Sequence, residues 1–193
     1  MQYKKAEVRE RILDAARKEY LARGFRGGNI SAIAQEAGVP VGNLYRYFDG
    51  KTGVLDAIVK PVYDALPILV QEVQQVDVLD AKTLKLMMPM LVGKLLDFFE
   101  DFGSDILILS DCCHGTRYED FASELIQTVS GVILNKLYPE GHGRDEEVIA
   151  YAVGKAFCGS IFDVIRMGLD RENMQILIER LIKFYFYEAD KRK

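Results

Sequence analysis

Asn43, Tyr45, Arg46 and Tyr47 bring an amide, a forked cation and two phenols within five consecutive residues. Those are the groups that hydrogen-bond to base edges and phosphate oxygens. If Val41 to Phe48 is helical, Leu44 and Phe48 fall four apart on one face. The other face then carries Gly42, Asn43, Tyr45 and Arg46, with Val41 and Tyr47 at its margins and Pro40 leading in. On it, Asn43 suits an adenine edge or a phosphate, Arg46 a guanine or a phosphate, and Val41 a thymine methyl. Gly42, lacking a side chain, lets the backbone come close to a duplex. The residue types alone do not decide which does which.

The other chemically promising run is Asp111-Cys112-Cys113-His114. Neighbours on a helix point about 100° apart and cannot easily share a metal. His142 is the other histidine, and the two cysteines lack C-x-x-C or zinc-finger spacing. The expectation is a helix end with one buried thiol, and a redox-sensing thiol is the alternative. No metal and no cofactor is expected. Gly141-His142-Gly143 does not extend into a dinucleotide fingerprint, and neither a Walker A sequence nor a Ser/His/Asp spacing stands out. The chain is therefore not read as an enzyme; a helical enzyme using an apolar cavity is the catalytic alternative.

The elements that hold the first cluster are short and well punctuated. Val8, Ile12, Ala16 and Tyr20 recur every fourth residue, with Leu13 and Leu21 beside them, which predicts a helix ending near Gly24. Asn29 or Gly28 can cap the run Ile30 to Ala37, and Gly38 closes it. Pro40 then opens Val41 to Phe48. Two short helices around Ala37-Gly38-Val39 have the length and punctuation of a helix-turn-helix.

Beyond Asp49-Gly50 the periodicity predicts long helices and no strands: Thr52 to Gln75, broken or kinked near Pro61 and Pro67; Asp80 to Asp101, interrupted by Pro89; Asp105 to Cys112; Tyr118 to Leu137; Glu146 to Gly168; and Arg171 to Ala189. The fold class is all-α, about nine helices. It divides into an N-terminal three-helix domain, 1–50, and a larger helical domain, 51–193, joined through a shared helix.

The 193 residues are 49% apolar and 28% charged, a balance that supports a sizeable core and excludes disorder. The net charge of −4 is unevenly spread. Residues 1–51 hold ten Lys/Arg against six Asp/Glu, whereas 52–193 hold fifteen against twenty-three. A basic module on an acidic body points to a polyanion as partner of the first part. The longest apolar stretches fall well short of the roughly 18 residues of a membrane span. The charged N-terminus lacks a signal-peptide core. No membrane association is expected, and the expected location is the cytoplasm, with three cysteines that form no disulfide framework.

Ile12 to Ala57 resemble the DNA-binding domain of TetR/AcrR-type transcriptional regulators. The residues that carry the resemblance are Ile12, Leu13, Ala15 and Ala16; Gly24 and Phe25; Ile33, Ala34, Ala37, Gly38 and Val39; Leu44, Tyr45, Tyr47 and Phe48; and Lys51 with Val54-Leu55. The resemblance implies phosphate contacts by Tyr45, Tyr47 and Lys51, and presentation of the helix-two start, Asn29, Ile30 and Ser31, to the same strand. The chain departs from the common pattern where threonine often caps helix two, here Gly28 or Asn29, and where Arg or Lys is common, here Ser31.

The same resemblance implies a homodimer joined by the last two helices, reading a palindromic double-stranded operator, and a cavity for an effector. Candidate lining residues are Tyr63, Leu66, Met87, Met88, Met90, Leu91, Leu95, Phe98, Phe99, Phe121, Phe157 and Phe162, which suit a small hydrophobic or aromatic molecule. The same stripe at helical spacing also reads as plain core. Carbonyls freed by Pro61 and Pro89 would supply polar contacts. The expected function is a ligand-responsive repressor. The alternatives are a small-molecule-binding helical dimer without DNA binding and a chromosome-binding protein that does not control transcription.

Overall fold

Residues 2–75 and 81–187, described by a computed structural model, form eight helices and no strand among them. They are α1 (Gln2–Gly27), α2 (Ile30–Glu36), α3 (Val41–Leu44), α4 (Gly50–Gln74), α5 (Ala81–Asp111), α6 (Phe121–Leu137), α7 (Arg144–Arg166) and α8 (Arg171–Phe186). The fourfold spacing of α1 buries Ile12, Ala16 and Tyr20 together with Leu13 and Ala15. Gly24 breaks its helical geometry at φ 67°, ψ 171°, after which one more turn runs to Gly27. The left-handed φ is the reason a glycine stands there.

Three expectations need correction. The expected helices Asp80 to Asp101 and Asp105 to Cys112 are one helix, α5, which makes eight helices of nine; the start at Asp80 lies outside the described residues. A mid-helix Gly103 costs only about 1 kcal/mol against alanine, and the turns that follow bury Ile106, Ile108 and Leu109. The prolines do not break their helices either: α4 runs through Pro61 and Pro67, and α5 through Pro89. All three prolines are exposed. The carbonyls they deprive, one turn back on nearly the same side, lie toward the solvent side of the helix, which argues against their lining a pocket. Finally, Val41 to Phe48 is α-helical only as far as Leu44. Arg46, Tyr47 and Phe48 continue it as tight turns, their N–H groups reaching the carbonyls of Asn43 (3.1 Å) and Leu44 (2.9 and 3.1 Å). The end of the last helix at Ala189 lies outside the described residues.

The chain clusters into two compact units whose limits differ from a cut at residue 50. The first comprises Met1–Ala65 and Ser104–Asp120, the second Leu66–Gly103 and Phe121–Lys193. In the first, Arg17 of α1 makes a two-pronged ion pair with Asp105 at 2.7 and 3.0 Å, and Asp105 is only 6% exposed. The Phe25 N–H donates to the Cys112 carbonyl (2.8 Å), and Tyr118 packs edge-on against Tyr63 of α4. Arg117 bridges the Tyr118 hydroxyl (2.7 Å) and the Asp56 carboxylate (3.2 Å). These long-range contacts draw residues 104–120 to the helix-turn-helix.

In the second unit α6 and α7 approach closely at Gly154. A Cβ there would stand 2.3 Å from the Ser130 Oγ and 3.2 Å from its Cα, so the helices meet backbone to backbone. Gly154→Ala is expected to cost about 1–3 kcal/mol by forcing them apart. An unchanged urea midpoint would show that they separate freely. Phe157 of α7 meets Phe186 and Tyr185 of α8 edge-on at 4.9 and 5.5 Å. Arg171 pairs with Asp97 and Glu100 of α5. Among the described residues α7 is the one helix long and apolar enough to cross a membrane by length and composition. Its apolarity serves two sides, a buried one with Ala150, Gly154, Cys158, Phe162 and Ile165, and an exposed one with Val148, Ile149, Ala152 and Ala156.

Candidate nucleic-acid interface

Asn29 starts α2 from an extended conformation. Its Oδ1 accepts from the N–H groups of Ser31 (2.8 Å) and Ala32 (3.4 Å), and its own N–H donates to the Glu19 carboxylate (3.0 Å). Ile33, Ala34 and Ala37 are buried, and Gly38 turns the chain at φ 66°. Leu44 and Phe48 anchor the following segment in the core. With that face down, Val41, Gly42, Tyr45 and Arg46 are exposed, Asn43 and Tyr47 half-buried, and Pro40 exposed. Tyr45 keeps 57% of its surface open, which speaks against packing on α1 as its role. A Cβ on Gly42 would meet nothing within 4 Å. Of the helix-two residues, Asn29 and Ser31 are exposed and Ile30 is half-buried.

Lys51 lies differently. It is half-buried, its ammonium donates to the carbonyls of Gly28 (3.1 Å) and Arg26 (3.3 Å), and it stands 4.6 Å from the Phe25 ring centre. Gly28 also has a steric reason: a Cβ there would be 2.9 Å from two ring carbons of the fully buried Tyr20.

Two exposed cations of α1 stand beside the helix-turn-helix. The Arg9 guanidinium lies 5.4 Å from the Phe48 ring centre while pairing with Glu10, and an Arg11 Nη1 lies 4.0 Å from where a Cβ of Gly38 would be. The signal for Arg9 is its spacing three residues before buried Ile12, which carries the core-facing stripe past the end of the core. Lys18 pairs with Glu36 across α1 and α2 at 2.8 Å.

Met88, Leu91, Phe98, Phe99, Phe121 and Phe162 are buried, and Leu66, Met87, Leu95 and Phe157 half-buried, all within the second unit; Met90 there is exposed. Tyr63 belongs to the first unit, on Tyr118. Phe98 has Phe99 and Phe102 as ring neighbours at 6.4 and 5.0 Å. This burial is as much that of a core as that of a cavity wall.

Cys112, Cys113 and Cys158 are free and buried, so the end of α5 holds two buried thiols where one is expected from the sequence. Burial pushes their thiols up, Cys113 to about 12, Cys158 to about 11 and Cys112 in the same direction. The Cys113 thiol also donates to the Ile108 carbonyl (3.3 Å). A thiol held protonated is a poor nucleophile, so the geometry favours a packed helix end over a redox sensor.

Residues 12–58 match the family of bacterial regulatory proteins, tetR family, over the stretch that forms α1, the helix-turn-helix and the start of α4. The chain carries a TetR-type N-terminal domain. Over 52 residues it is 42% identical to the HTH-type transcriptional regulator SrpR of Pseudomonas putida and to TtgW, an uncharacterized HTH-type transcriptional regulator of the same species. Over 62 residues it is 36% identical to the HTH-type transcriptional repressor KstR2 of Rhodococcus jostii. These matches take in 27%, 27% and 32% of this chain, and 24%, 39% and 30% of the respective relatives. A crystal structure from Mesorhizobium loti, described as of a TetR-family transcriptional regulator, superposes with a TM-score of 0.50 at 14% identity, covering 93% of this chain and 95% of that one. At that identity the likeness is one of fold alone.

Proposed function

We propose that this TetR-type chain is a cytoplasmic, homodimeric transcriptional regulator, a repressor that a small hydrophobic or aromatic effector releases from a palindromic operator. The observation that carries the DNA-binding part is the segment Pro40 to Tyr47. Leu44 and Phe48 pin it from below while Val41, Gly42, Tyr45 and Arg46 stay open. Arg46 and Asn43 read base edges in the major groove, Val41 meets a methyl, and Tyr45 and Tyr47 donate to phosphates. The Asn29 cap presents the first turn of α2, with Ile30 and Ser31, to the same strand.

Two copies are needed because one short segment reads only a half-site, and two-fold symmetry places the half-sites about 34 Å apart. The last two helices have the surface for it. Ile149, Ala152, Ala156 and Gly159 share one stripe of α7 and Ile176 and Phe184 one side of α8, nearly all of them exposed. The effector acts on that spacing. A preference of about 1–3 kcal/mol for a dimer whose recognition segments no longer match the grooves weakens operator binding roughly 5- to 150-fold.

The test is titration of the purified protein against DNA from upstream of its own gene. Tight binding that falls steeply with salt and exceeds binding to unrelated DNA is the expected outcome. Failure to retard any fragment at low ionic strength, or equal binding to all, defeats the reading.

A further inference from the structure

Two consecutive residues of α1, Glu19 and Tyr20, hydrogen-bond to backbone on either side of the reading segment. The Glu19 carboxylate accepts from the Asn29 N–H at 3.0 Å, and the Tyr20 hydroxyl donates to the Lys51 carbonyl at 3.0 Å. The first bond has an uncommon origin. In a capping box the N-cap residue's own N–H is met from within the helix, by a Glu or Gln at the third helical position. In α2 that position is Ala32, whose side chain has no acceptor to offer. Glu19 fills the place from a different helix, 10 residues upstream, with a side chain only 14% exposed. Asn29 in turn accepts from the N–H groups of Ser31 and Ala32 through its Oδ1. A relay of hydrogen bonds thus runs from α1 through Asn29 into the first turn of α2.

We propose that Glu19 is a positioning residue, its carboxylate completing the cap of α2 and so setting how Asn29 and Ser31 meet the DNA strand. Its consequence rests on the DNA-binding reading, whereas the bond itself exists in the free protein. Tyr20 supports the other side: it fixes the backbone of Lys51, whose ammonium gives two N–H donors to the carbonyls of Gly28 and Arg26 and keeps one for a phosphate. A carboxylate is an unfavourable group to place near a polyanion, since it repels the phosphates the module must attract. The Arg23 guanidinium, 3.6 Å away, offsets part of that charge. What the carboxylate offers in exchange is bond strength, about twice that of a neutral acceptor.

The test compares the full-length protein with Glu19→Gln and Glu19→Met. Both variants lose the charge and keep the length of the side chain, but only Gln keeps an oxygen that can accept, so a difference between them isolates the hydrogen bond from electrostatics. In the DNA-free proteins, amide hydrogen exchange at Asn29, Ser31 and Ala32 is expected to quicken roughly fivefold in Glu19→Gln and roughly 10- to 100-fold in Glu19→Met. Amides in the middle of α6 and α7 keep their rates. Affinity for the operator fragment is expected to be roughly tenfold lower in Glu19→Met than in Glu19→Gln at the same ionic strength. Equal affinities in the two variants overturn the proposal, in whichever direction both have moved, because the acceptor then has no bearing on DNA. Unchanged exchange at Asn29 in both variants also overturns it. If Glu19→Met does not fold, Glu19→Gln decides by exchange, and an unchanged rate at Asn29 defeats the cap. If the wild-type protein binds no DNA, the reading as a regulator fails, and the exchange measurement alone decides whether Glu19 completes the cap.

Discussion

Glutamate in place of Phe184 is expected to yield a folded monomer and to cost operator binding roughly two to four orders of magnitude. Phe184 is 71% exposed on α8, so the substitution leaves the protomer's core intact. In a dimer built on α7 and α8 the same position would be covered, and a carboxylate there would lose its water without a partner. A protein reduced to one half-site forfeits the effective concentration that the second reading segment enjoys, on the order of 10² to 10⁴ in affinity. Sedimentation equilibrium and a gel shift measure the two effects. A variant that sediments as a dimer with full operator affinity would move the interface elsewhere.

Removing the carboxylate of Asp105 is expected to destabilise the first unit strongly. Arg17 gives two parallel hydrogen bonds to Asp105 and a third, at 2.9 Å, to Asp14. Those bonds, Asp105 foremost, hold the guanidinium pKa above its ordinary value. Asp105→Ala leaves that cation partly buried against α5. The expected loss is about 3 kcal/mol, the lower end for breaking a buried pair, because the Arg17 side chain keeps 26% of its surface in water. Replacing both partners, Arg17→Met with Asp105→Leu, should recover most of it, since an apolar pair needs no desolvation. Urea unfolding of the wild type and the two variants checks this. A loss below about 1 kcal/mol for Asp105→Ala would place the bridge with ordinary surface pairs.

What could be read from the sequence was local. The stripe Ile12, Ala16, Tyr20, the cap at Asn29, the turn at Gly38 and the anchoring pair Leu44 and Phe48 each rest on residues within four positions of one another, and each has the place its spacing implied. Pro61, Pro67 and Pro89 misled because a residue's local preference is worth a few kcal/mol at most, and burial along a long helix outweighs it. Partnerships at long range were out of reach. Nothing near Arg17 announces an acid 88 residues away, and nothing in Ser104 to Asp120 announces that it packs with the N-terminal helices. Lys51 is a subtler case, since a lysine at that spacing matches a motif equally well whether or not its charge also meets carbonyls of its own chain.

The closeness of Gly28 to the Tyr20 ring carries an evolutionary corollary. The two positions share one volume, so a side chain larger than hydrogen at 28 needs the Tyr20 ring to shift or to be lost, and losing it leaves the carbonyl of Lys51 without its hydroxyl donor. A lineage that gains a side chain at 28 must therefore pass through a weakened intermediate, which ties the glycine to the tyrosine.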